Sequence, residues 1–66
     1  MQIIVNGEPR AVPELTTLDA LLAELGIEPR HVAIEVNLQL VPRSTHADYR
    51  LSEGDRLEVV TLVGGG

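Results

Sequence analysis

The chain has no cysteine, lysine, tryptophan or phenylalanine, and its only aromatic residue is Tyr49. Without cysteine it cannot carry a disulfide framework, a thiolate zinc site or a thiol nucleophile. The five basic residues are all arginine, set against ten acidic residues, for a formal net charge of −5. An acidic surface with one aromatic argues against nucleic-acid binding, which calls for a basic stripe and stacking platforms. It suits a protein partner with a basic docking surface, because opposite fields speed encounter. No apolar stretch approaches the roughly 20 residues needed to cross a bilayer. The N-terminus has no charged-then-apolar signal pattern. The expectation is a cytoplasmic protein, monomeric when free, with no membrane association. His31 and His46 lie far apart and lack a ligand-spaced companion, so no metal site is expected.

The 66 residues allow one domain. A chain this short buries only about 60% of its unfolded surface, so the fold rests on its apolar content of 44%.

Met1 to Val5 is apolar and β-branched and reads as a strand. Asn6-Gly7 favours a type I′ turn, in which both central residues take φ > 0. Glu8 to Val12 returns as a second strand, with Pro9 marking an edge. Thr16 or Thr17 then caps a helix, with Asp19 at the positive end of its dipole. Leu18, Leu21, Leu22 and Leu25 fall on one face of that helix. Gly26 fits a left-handed stop, and Pro29 forbids continuation. Val32 to Val36 reads as a third strand, Leu38 to Val41 as a short fourth, and Arg43 to Arg50 as irregular. Glu53-Gly54-Asp55 reads as a turn that stabilises the start of the last strand, Arg56 to Val63. One helix with one leucine face must cover one face of a mixed sheet. The simplest compact solution places the last strand beside the first, in parallel, at the centre. This is a ubiquitin-like β-grasp fold of the α+β class, with four to five strands. Residues 1–63 form the expected domain and residues 64–66 a flexible glycine tail.

That tail is the most informative feature. A central strand running into Gly64-Gly65-Gly66 holds out a thin main chain with a carboxylate at its tip. Glycine has no Cβ, so Gly64 and Gly65 can thread a channel closed to other residues. The Gly66 carboxylate can be activated by an enzyme that binds ATP. If Leu57 and Val59 face the helix, Val60 and Leu62 fall on the open sheet face near Ala33 and Glu35. An apolar spot rimmed by acids there is a candidate docking patch.

Several segments together resemble the ThiS family of sulfur carriers. They are Val5-Asn6-Gly7-Glu8, Thr17-Leu18 with Leu21-Leu22 and Gly26, Val32 to Asn37, Val41-Pro42-Arg43-Ser44, Gly54-Asp55 and the terminal Gly65-Gly66. Where the family commonly has tryptophan two residues after that serine, this chain has His46. The resemblance implies a carrier without catalytic residues or bound cofactor. A ThiF-like partner would use ATP to adenylate Gly66, sulfur from a persulfide would displace AMP, and a ThiG-like thiazole synthase would take the sulfur from the resulting thiocarboxylate. The alternatives are the molybdopterin synthase carrier subunit, with the same terminal chemistry, and a β-grasp interaction module whose tail is never activated.

Overall fold

The computed structural model describes residues 1–62. Val63 and the expected tail, Gly64 to Gly66, lie outside the described residues. Strands β1 (Gln2–Val5) and β2 (Glu8–Ala11) form the first hairpin. Asn6 and Gly7 have φ of 49° and 83°, as a type I′ turn requires. Helix α1 (Leu18–Leu25) follows, then β3 (Val32–Val36), β4 (Gln39–Val41) and β5 (Arg56–Thr61). The sheet order is β2-β1-β5-β3-β4. β5 lies in the middle, parallel to β1 and antiparallel to β3. This is the ubiquitin-like β-grasp architecture.

The helix ends follow local chemistry. Thr17 is the N-cap, and its Oγ1 accepts from the Ala20 amide at 3.2 Å. At the other end Gly26 adopts φ 72°, and the Ile27 amide donates to the Leu22 carbonyl at 3.0 Å. That pairing closes the last turn in a Schellman geometry. Leu18, Leu21 and Leu22 are buried against Ile3, Val32, Ile34, Val36, Val41 and Leu57, with Val12 and Leu51 closing the margins. Leu25 and Ile27 are half-buried at the edge of this core. Each large aliphatic side chain so placed contributes roughly 1.5–3 kcal/mol of transfer free energy.

β5 ends at Thr61, so Leu62 lies outside the last strand that the sequence predicts, and two further segments differ from the sequence expectation. Leu38 is not the first residue of the fourth strand. With Asn37 it forms the β3–β4 turn, at φ 52° and 70°, and its side chain is 89% exposed. The backbone must reverse within two residues for Gln39 to pair with Val36, and here it does so with both central residues left-handed, as in a type I′ turn. The segment before β5 is also less irregular than its polarity suggests. A 3₁₀ turn at Arg43–Thr45, closed by the Thr45 Oγ1–H donating to the Pro42 carbonyl, points His46 into the core. His46 is 1% exposed. Its Nε2–H donates to the Val41 carbonyl at 3.1 Å, while its buried Nδ1 has no partner among the described residues.

Candidate functional site

The site is the C-terminal end of β5 and the sheet face beside it. Three polar side chains hold β5 in place. Asn6 bonds the main chain of Val59 in both directions: Oδ1 accepts from its amide at 2.8 Å and Nδ2 donates to its carbonyl at 3.3 Å. From the other flank, Asn37 Oδ1 accepts from the Arg56 amide at 3.0 Å. The Asn37 Nδ2 donates to Asp55 Oδ1 at 3.0 Å, and the Ser52 amide donates to Asp55 Oδ2 at 2.8 Å. The buried Asp55 thus satisfies the turn at the start of β5, as the sequence led one to expect. Beyond Thr61, the Leu62 amide donates to the His31 carbonyl at 2.7 Å. The chain is therefore tied down up to the last described residue, with residues 63–66 beyond it.

The four sequence-nominated surface residues fall on the same side of the sheet or at its edge. Leu57 is buried and Val59 half-buried against the helix side, so the alternation turns Val60 outward. Ala33 is the cross-strand partner of Val60, and Glu35 that of Glu58. Val60 is 51% exposed, Leu62 is exposed at the strand's exit, and Ala33 is half-buried between its neighbours. Gly64, Gly65 and Gly66 lie outside the described residues. Asn6, Asn37 and Glu58 were not singled out from sequence. Asn6 reads as a turn residue and Asn37 as the end of the third strand, and their contacts to β5 require the strand order. Among the described residues no three His, Asp or Glu side chains come together as a metal-binding group. No helix among them is long and apolar enough to cross a membrane.

A sequence profile described as the ThiS family matches residues 3–66. The chain belongs to the ThiS family. Among relatives, the sulfur carrier protein ThiS of Thermus thermophilus is 40% identical over 62 residues, covering 94% of this chain and 95% of its own. A thiazole synthase of Paramagnetospirillum magneticum is 46% identical over 66 residues, covering all of this chain. The chain spans 20% of that protein's length, so this β-grasp unit also occurs as a segment of a larger polypeptide. The crystal structure of a thiamine biosynthesis protein (ThiS) from Geobacter metallireducens superposes with a TM-score of 0.86 at 29% identity, covering 100% of both chains. Family membership and fold therefore agree, and the shared β-grasp places β5 at the centre of the sheet.

Proposed function

We propose that this chain is a sulfur carrier of thiamine (thiazole) biosynthesis and that Gly66 is its reactive residue. A ThiF-like enzyme binds ATP and adenylates the Gly66 carboxylate. A carboxylate is a poor electrophile, and the adenylate supplies a good leaving group. The terminal sulfur of a persulfide then attacks the acyl carbon and expels AMP. A thiol supplied by the partner cleaves the resulting acyl disulfide by forming a new disulfide with the donor sulfur, and the thiocarboxylate so released passes its sulfur to a ThiG-like thiazole synthase. The enzymes must enclose the reacting carbon, because water would hydrolyse the adenylate. Gly64 and Gly65 give the enclosure a stalk without side chains. Ordering that stalk costs about 1–2 kcal/mol per residue. Docking of the face around Ala33, Glu35, Val60 and Leu62 offsets this cost. ATP belongs to the partner, and the carrier is a co-substrate rather than an enzyme.

The observation that carries this reading is the anchoring of Leu62 at the exit of the central strand, directly before residues 63–66. Similarity to a thiazole synthase and to a sulfur carrier protein ThiS supports the thiazole route over the molybdopterin route. Deletion of the gene tests it. The deletion strain should require the thiazole moiety of thiamine, and a copy lacking Gly65-Gly66 should not restore growth. A strain deficient in molybdopterin instead would contradict the thiazole assignment.

A further inference from the structure

β3 and β5 pair so that Glu35 stands directly opposite Glu58. Both carboxylates are exposed on the sheet face away from α1. Like charges directly opposed across two strands are destabilising. Among the described residues the ion pairs are the Met1 amino group with Glu14 and Arg10 with Glu24. Arg56 precedes Glu58 by one pleat on the same face and takes part in neither pair. The fold therefore keeps two adjacent carboxylates at the centre of its open face without using them.

Apolar groups flank the pair. Leu40 is the partner of Glu35 across β3–β4 and is 66% exposed. Val60 follows Glu58 along β5 on the same face. Two carboxylates between aliphatic walls match one side chain in particular. The planar guanidinium of arginine takes carboxylates through a fork of donors, is weakly hydrated, and carries a methylene stem that lies on apolar surface.

We propose that Glu35 and Glu58 clamp one arginine side chain of the adenylating enzyme. The proposal rests on the carrier reading and assigns the docking face a defined charge contact. Charge complementarity selects the occupant. A protein that brings ATP and the tail carboxylate together gathers two anionic reactants, and positive charge on its receiving surface favours their encounter. The Glu35–Glu58 face, on a chain of net charge −5, is its complement.

The test is calorimetric binding of the purified ThiF-like enzyme, without ATP, to wild type, Glu35→Gln, Glu58→Gln and the control Glu28→Gln. Glu28 is exposed in the connection before β3, so its variant makes the same charge change away from the sheet face. Each clamp variant should bind at least about tenfold more weakly, while its melting temperature holds or rises as the repulsion is relieved. The control should lose less than about threefold, as expected of long-range steering alone. Clamp variants that bind like wild type, or a control that loses as much as they do, would overturn the clamp. So would wild type that the enzyme fails to bind. Intact mass after ATP and a sulfur donor separates the two ideas. If wild type gains sulfur but the clamp variants bind normally, the clamp alone fails. If a competent enzyme leaves wild type unmodified, the carrier reading fails.

Discussion

The Asn6 side chain forms a two-way hydrogen-bonded pair with the Val59 main chain, at 2.8 Å and 3.3 Å, across 53 positions of sequence. A turn residue of the first hairpin thereby continues the β1–β5 ladder past the end of β1 and braces β5 close to its exit. Asn6→Gly preserves the left-handed turn backbone and removes only these two bonds. It should cost about 1 kcal/mol, or roughly 4–8 °C in melting temperature for a domain of this size. Amide exchange should accelerate first at Val59 to Thr61. An unchanged melt would mean that the pair adds nothing to the anchoring of β5.

Leu38 carries opposite expectations. Its φ of 70° is one that glycine adopts without penalty and leucine does not, and its side chain has almost no cover. Leu38→Gly creates an Asn-Gly turn. After allowing for the greater freedom of glycine in the unfolded chain, it should stabilise by about 0.5–1 kcal/mol. Thermal melts of the two proteins check this, and a lower melting temperature for the variant would refute the strain argument.

Val60 tests the apolar part of the docking face. Val60→Asp places a carboxylate where an apolar side chain is 51% exposed. Fold stability should change by no more than about 1 kcal/mol. Affinity for the adenylating enzyme should fall by at least about tenfold, as for an apolar contact inside an interface. Equal affinity for both proteins would remove this face from the interface.

Gly65 tests the enclosure of the reacting carbon. Gly65→Val lies beyond the described body and should leave the melt unchanged. It should slow adenylation on the order of 100-fold, because a displaced carboxylate loses its alignment with ATP. Pyrophosphate release at saturating carrier measures this step. Release at the wild-type rate would show that the partner's channel tolerates a side chain.

Local chemistry made much of the fold legible in advance. The leucine spacing marks the buried helix face, Thr17 and Gly26 mark its ends, and Asn6-Gly7 marks the first hairpin. The central place of β5 followed from a single amphipathic helix needing one sheet face to cover. What stayed hidden depends on pairing. Leu38 looks like a strand residue because it is apolar, and only the register of Val36 with Gln39 forces it into the turn. His46 stands among polar residues, and its burial follows from the 3₁₀ turn that aims it at Val41. The opposition of Glu35 and Glu58 exists only once β3 and β5 are aligned. The chemistry proposed for the terminal glycines rests on the sequence alone, and the structure adds how firmly the chain is held up to Leu62.

The central claim is that Gly66 trades a carboxylate oxygen for sulfur. Intact-mass spectrometry after incubation with ATP, the adenylating enzyme, a persulfide donor and a thiol reductant addresses it most directly, with fragmentation to locate the change. The account predicts one oxygen replaced by sulfur per chain, confined to Gly66 and dependent on ATP. An unchanged mass with an enzyme shown to be active on another carrier, or sulfur found at any other residue, would contradict it.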